Sequence, residues 1–224
     1  MGSIGAADDN GKLYFAYGSN LSSSQMRDRC PRSTPVGLAR LPGWTWLINE
    51  RGYANIVRKP DPDPESPHSS MKWPTLSFNP LPLLPLMASK NGKPSNEHGV
   101  YGVLYRLHPD DEARLDACEG VPYAYERVFL DVVVVPTPSS TRPIGQEGVP
   151  RELWKLREDQ KQTGQTVKAL VYIDKENVHP KKPLAEYVNR MNRGIEEAMN
   201  EWGLPQAYVH TVLRPFIPAK KYGK

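Results

Sequence analysis

The stretch that most limits what this chain can fold into is Leu13-Tyr14-Phe15-Ala16-Tyr17-Gly18-Ser19-Asn20-Leu21. An apolar, aromatic run of strand character stops at a Gly-Ser-Asn turn, and Ser22-Ser23-Ser24-Gln25 then opens a helix. Ser22 followed three residues later by Gln25 is a capping-box pattern, which predicts a helix over about residues 23–29, stopped by Pro31. In such a strand–turn–helix unit, the backbone N–H groups of the turn and the first helical turn face whatever lies above the strand. A turn of this kind can hold an anion.

The rest of the chain alternates between patterned and unpatterned segments. Residues 12–17, 37–41, 44–49 and 55–58 read as strands, with Pro42-Gly43 and Arg51-Gly52 as turns, which suggests an antiparallel meander. Residues 60–97 carry nine of the 23 prolines and read as a long insertion, although Leu81-Pro-Leu-Leu-Pro-Leu86 is apolar enough to pack. Residues 98–107 have the β-branched and aromatic content of a buried strand. Pro109 opens a short helix with Asp110, Asp111 and Glu112 in its first turn and Gly120 at its end, and the spacing of Leu115 and Cys118 turns both toward the core.

Residues 125–135 are a second strong strand, followed by a Pro- and Gly-rich insertion at 136–165 in which the composition of 152–162 allows a surface helix. Thr166–Ile173 is another strand. The last regular element is the clearest helix: Leu184, Tyr187, Val188, Met191, Ile195, Ala198, Met199 and Trp202 recur at three- and four-residue spacing, and Gly203 with Pro205 closes it. With 224 residues the chain is expected to form one domain, 1–224, with the two insertions as elaborations.

Composition narrows the function classes. A net charge of +4 is spread over 29 basic and 25 acidic residues with no long basic run, so no nucleic-acid or membrane-surface partner is expected. Cys30 and Cys118 stand in unlike contexts, and neither they nor the five histidines show metal-ligand spacing. No metal and no cofactor is expected. The sequence has neither a leader pattern nor a run of about 18 apolar residues, which makes a cytoplasmic protein the default expectation.

Glu119 is the residue out of place. A carboxylate at the end of a helix, beside Gly120 and Val121-Pro122, opposes the helix dipole, and charges so placed often serve function. Asp116, Glu126 and Arg127 nearby read as solvated surface charges. Cys118 has no neighbouring histidine to lower its pKa and reads as a small apolar residue. Ser19 lacks the G-x-S-x-G context of an activated serine.

Three motifs in order carry a resemblance: Tyr-Phe-Ala-Tyr-Gly-Ser-Asn-Leu at 14–21, Val-Tyr-Gly-Val-Leu-Tyr-Arg-Leu at 100–107, and Leu-Asp-x-x-Glu-Gly-Val-x-x-x-Tyr at 115–125. Together they resemble the γ-glutamylcyclotransferase family, whose wider superfamily includes the plant avirulence-induced proteins. Pro183-x-x-x-Tyr187 and Gly203-Leu-Pro-x-x-Tyr208 extend the similarity, while the two Pro-rich insertions depart from the compact family pattern. The resemblance implies an α+β fold, a small mixed barrel-like β-sheet surrounded by helices with a cavity at one end. It also implies a small γ-glutamyl molecule as the partner, with a homodimer as an open question. By it Glu119 is the general acid/base. The substrate-binding set is Tyr14, Phe15, Ala16, Tyr17, Gly18, Ser19 and Asn20, with Tyr125 and Tyr187 lining the cavity.

The implied reaction is intramolecular: the α-amine of a γ-glutamyl group attacks its own γ-carbonyl, forming 5-oxoproline and releasing the amine it was attached to. Such chemistry needs no covalent nucleophile, only a folded-back conformer and a group that moves one proton. An ammonium of pKa about 8 and a carboxylate of about 4.3 are mismatched by an amount that costs about 5 kcal/mol. Glu119 is therefore expected to be buried against Val121, Pro122 and aromatic rings. The alternative reading is a non-catalytic small-ligand-binding or interaction module that keeps the cavity without turnover.

Overall fold

The computed structural model describes residues 11–58, 99–135 and 164–220. The insertion at 60–97, nearly all of that at 136–165, and the helix expected at 152–162 lie outside the described residues. Strand β1 (Lys12–Ala16) leads into a 3-10 turn at Ser19–Leu21 and helix α1 (Ser23–Arg29). Then come β2 (Thr34–Pro42), β3 (Trp44–Ile48), β4 (Ala54–Arg58) and β5 (Gly99–Leu107). Helix α2 (Pro109–Glu119), β6 (Glu126–Val134), β7 (Thr166–Ile173) and α3 (Ala185–Trp202) complete the framework.

Five strands close into a barrel in the order β1-β5-β2-β6-β7, and β7 returns to β1. The closing pair, Tyr14 opposite Leu170, is parallel, while every other pairing of the barrel is antiparallel. Closure removes the open edges that would otherwise recruit another strand. The fold is α+β, with a mixed barrel and helices around it, as the resemblance implies.

The expected meander over β2, β3 and β4 is corrected. β2 bonds β5 and β6, whereas β3 and β4 pair only with each other as a separate ribbon. Trp46 of this ribbon donates its indole N–H to the Tyr17 carbonyl at 3.0 Å, which ties the ribbon to the end of β1.

α3 buries Tyr187, Met191, Ile195, Ala198 and Trp202, and apolar side chains of this size contribute about 1.5–3 kcal/mol apiece on burial. Leu184 is the helix N-cap and 43% exposed, so it stands outside that stripe. Nor is α3 the last regular element, because a helical turn at Gln206–Tyr208 runs on into a π-helical turn at Val209–Leu213. Cys118 is likewise corrected: Leu115 is fully buried, but Cys118 is exposed.

β1 and β5 approach so closely at Gly102 that a Cβ there would lie 2.6 Å from the Ala16 carbonyl oxygen and 2.8 Å from the Phe15 ring. Since backbone cannot yield as a side chain can, Gly102→Ala is expected to destabilise the protein by roughly 1–3 kcal/mol in urea unfolding. A variant with the parent's midpoint and slope would show that the barrel wall is looser than described.

Candidate active site

The turn after β1 is held from three sides. Tyr105 of β5 donates its hydroxyl to the Asn20 carbonyl at 3.0 Å. Gly194 of α3 lets that helix lie directly on the turn, where a Cβ would meet Leu21 Cβ at 3.1 Å and Ser22 N at 3.2 Å. Ser22 caps α1, accepting from Gln25 N at 3.0 Å. Only half of the expected capping box forms, because the Gln25 side chain donates to Ser19 Oγ (2.9 Å) and Asn20 Oδ1 (2.8 Å) instead of reaching back.

These contacts revise where an anion can bind. The Leu21 and Ser22 N–H groups are used inside the turn, bonding the Gly18 and Ser19 carbonyls. Ser24 N donates to Glu197 Oε2 at 2.9 Å, so a carboxylate of α3 occupies the first turn of α1. The Tyr187 hydroxyl lies against the backbone at Ala54 and Ser19. The Gly18 and Asn20 N–H groups have no acceptor among the described residues.

Facing the turn across a cavity of about 270 Å3 is Glu119, at the small end of ligand clefts. α2 delivers it: the helix ends at Glu119 because Gly120 adopts the left-handed conformation (φ 67°) that a side chain would strain. Glu119 Oε1 accepts from Asn20 Nδ2 at 2.9 Å and lies 3.6 Å from Arg29 Nη1. Oε2 has no partner among the described residues. The side chain is 17% exposed.

Burial pushes the Glu119 pKa up, while Arg29 above all, then the Asn20 hydrogen bond, Arg190 and Arg51 hold it down; the net direction is upward. The burial does not come from Val121 and Pro122, as the sequence suggests, because neither lines the cavity. It comes from Tyr14, Tyr17, Tyr125, Tyr172 and Tyr187. Burial also raises the pKa of each of these tyrosines, so they remain neutral hydroxyls across the working pH range.

Of the expected site residues, the structure brings Tyr14, Tyr17, Gly18, Ser19, Asn20, Glu119, Tyr125 and Tyr187 to one cavity. Phe15 and Ala16 do not line it; both are fully buried in the core, at 0% exposure. Ser19 Oγ accepts from Gln25 Nε2 and from Arg190 Nη1 at 3.1 Å. Among the described residues no histidine lines the cavity, so nothing is placed to activate that serine.

Sequence reasoning missed Arg29, Arg51, Tyr53, Tyr172 and Arg190, which also line the cavity, as does the exposed Cys118. Arg190 had a usable signal, since it follows Tyr187 by three residues on α3 and so shares its face. Asp116 is more than a solvated charge: it accepts from the Tyr172 hydroxyl at 2.7 Å and so orients that ring. Among the described residues no cluster of side chains is suited to a metal ion.

The fold and site together define a small closed barrel with one acid facing a backbone turn across a tyrosine-lined hollow. The sequence profile of the family described as gamma-glutamyl cyclotransferase, AIG2-like, matches residues 14–189. The chain belongs to that family. Among solved structures, one described as a gamma-glutamyl cyclotransferase aligns with a TM-score of 0.56 at 20% identity, over 96% of this chain and 93% of that one. An uncharacterized protein from Homo sapiens aligns at 0.55 and 19%, over 96% and 92%. YkqA from Bacillus subtilis aligns at 0.55 and 19%, over 95% of this chain and 56% of its own. These three likenesses show the fold. No curated protein matches the sequence.

The raised Glu119 pKa sets the sign of a pH effect. The folded protein binds more protons than the unfolded chain between the unfolded and folded pKa values, so this group lowers stability as pH rises through that interval. Glu119→Gln removes the loss. The stability of the variant relative to the parent is therefore expected to increase as pH rises above about 4, the ordinary glutamate value, measured by chemical denaturation at each pH. A flat or opposite trend would show that burial does not penalise this carboxylate.

Proposed function

We propose that the protein is a γ-glutamyl cyclotransferase that converts a γ-glutamyl amino acid, peptide or related conjugate to 5-oxoproline and the free amine. The observation that carries this reading is Glu119: one partly dehydrated carboxylate, with a free Oε2, facing the Gly18–Asn20 backbone across a small cavity. Family membership supports the reaction class. A 270 Å3 cavity suits a folded-back γ-glutamyl group, with the departing amine toward its mouth.

Glu119 Oε2 takes a proton from the substrate's α-ammonium, and the neutral nitrogen attacks the γ-carbonyl carbon of the same molecule. A C–N bond forms, the carbonyl oxygen becomes an oxyanion, and the Gly18 and Asn20 N–H groups, which have no acceptor among the described residues, are the donors assigned to it in this reading. The protonated Glu119 then passes its proton to the departing nitrogen, the old amide C–N bond breaks, and the carbonyl re-forms; the ring nitrogen, still carrying one proton too many, gives it to the ionised Glu119, which releases it to the departing amine or to solvent. Two protons leave the original ammonium in turn through the same carboxylate, so a single acid suffices.

Its raised pKa narrows the mismatch with the ammonium, and cations around the cavity disfavour the ammonium itself. The tyrosine hydroxyls supply neutral dipoles. Tyr17, donating to the Tyr172 carbonyl at 2.5 Å, and Tyr125, donating to the Ala54 carbonyl at 2.8 Å, are fixed in place.

The test is 5-oxoproline release from γ-glutamyl-alanine, glutathione and bulkier γ-glutamyl conjugates. Turnover is expected with at least one, and Glu119→Gln is expected to lower kcat by about 10²- to 10⁴-fold while still binding substrate. In the parent, kcat/KM is expected to fall on the acid side with a pKa above that of an ordinary glutamate, because the raised group must be ionised to accept the proton. No release with any γ-glutamyl compound would favour a binding module, and undiminished release by the variant would remove Glu119 from the role.

A further inference from the structure

Three guanidinium groups reach the cavity, and their partners divide them. Arg51 donates from Nε to Asp174 Oδ2 at 2.9 Å and from Nη2 to the Ala124 carbonyl at 2.8 Å, with its head over the Tyr125 ring. Arg190 grips both oxygens of Glu186 at 2.9 and 3.0 Å, donates to Ser19 Oγ, and stacks on Tyr187. Each has a carboxylate of its own within 3.0 Å.

Arg29 differs. Its Nη1 donates to Asn20 Oδ1 at 3.1 Å, and the one carboxylate within 4 Å among the described residues is Glu119, at 3.6 Å. Its side chain is 23% exposed. The cation is thus held in a partly dehydrated site with most of its fork unused, and the one anion within 4 Å among the described residues is the group that gains a proton in the proposed reaction. Once Glu119 is protonated, Arg29 has no anion within that distance among the described residues, which is unfavourable for a dehydrated charge.

A γ-glutamyl group brings the missing anion on the same carbon that carries its attacking amine. We infer that Arg29 is the receptor for the substrate's α-carboxylate, leaving the Gly18–Asn20 backbone to face the γ-carbonyl. This inference deepens the cyclotransferase reading and rests on it for the identity of the ligand. Charge then balances at every stage. With substrate bound, carboxylate faces Arg29 and ammonium faces Glu119; after proton transfer, amine and carboxylic acid are both neutral and the Arg29 pair persists. Arg29 and Glu119 approach to 3.6 Å, a spacing that lets one α-carbon present its two groups to both.

The exchange also acts on the base. Of the groups that hold the Glu119 pKa down, Arg29 is the strongest, and engaging it with a substrate carboxylate relaxes that hold when the ammonium arrives. The other cations facing Glu119, Arg51 and Arg190, keep their own carboxylates, Asp174 and Glu186. The facing hydroxyls of Tyr14, Tyr17, Tyr125, Tyr172 and Tyr187 stay protonated, because burial raises each of them.

Two five-membered lactams separate this role from a structural one: 5-oxoproline carries the carboxylate, and 2-pyrrolidinone is the same ring without it. Affinities are measured by NMR titration at low ionic strength for the full-length parent, Arg29→Gln, Arg29→Lys and Arg190→Gln, with thermal melts as a fold control. The parent is expected to prefer 5-oxoproline by about 10-fold or more, the scale of charge-assisted hydrogen bonds. Arg29→Gln is expected to bind the two within about threefold, the scale of one lost pair. Arg29→Lys, which keeps the charge but not the fork, falls between, and stands in should the Gln variant not fold. Arg190→Gln keeps the parent's preference.

An undiminished preference in the folded Arg29 variants, a preference lost in Arg190→Gln instead, or no preference or no binding in the parent would each overturn the assignment. Turnover of γ-glutamyl-alanine is read separately. A parent that discriminates the lactams through Arg29 but releases no 5-oxoproline retains the receptor and loses the cyclotransferase reading, while turnover without Arg29-dependent discrimination does the reverse.

Discussion

The side-chain amide of Asn20 is the joint on which the site depends. Its Nδ2 donates to Tyr14 and to Glu119, each at 2.9 Å, while its Oδ1 accepts from Gln25 and Arg29. Two donors and two lone pairs are all that an amide offers, so every position is filled. Through it the first barrel strand, the helix after the turn, and the end of a helix 99 residues away in sequence meet at one point. A side chain so occupied has no capacity left for a ligand; it orients the acid.

That arrangement explains how a single carboxylate can sit among aromatic rings. Glu119 would be strongly disfavoured as an anion if it were buried alone, and a dedicated ion pair would hold its pKa too low to take a proton from an amine. The structure does neither. One oxygen is fixed by a neutral amide and overlooked by a cation at 3.6 Å, the other is open, and the net effect is an upward push. The two remaining arginines have Asp174 and Glu186 as their own partners, and their hold on the acid is weaker than that of Arg29.

Much of this could be read in the chain, and the limits have physical reasons. Glu119 stood out because a helix dipole and a left-handed glycine make a local signal, and the Tyr17–Asn20 turn because strand, turn and cap are adjacent in sequence. Phe15 and Ala16 belong to the same motif as the site residues, yet alternation along the strand turns Phe15 to the face opposite Tyr14, and Ala16 is too short to leave the core that buries it. The β3–β4 ribbon carries strand signals but none that names a partner, so its separation from β2, and with it the arrival of Arg51 and Tyr53 at the cavity, was not legible. Cys118 follows Leu115 at helical spacing, but the last turn of α2 leaves the core for the cavity.

The proposed reaction requires the attacking nitrogen and the acid to meet on one side of a folded-back substrate whose carbonyl faces the turn. A crystal structure of Glu119→Gln soaked with γ-glutamyl-alanine tests it most directly, because the slowed variant can hold intact substrate. The ligand is expected in the tyrosine-lined cavity, its α-nitrogen beside residue 119 and its γ-carbonyl oxygen toward the Gly18–Asn20 backbone. A ligand bound extended, with its α-nitrogen turned away from residue 119, or seated outside the cavity, would contradict it.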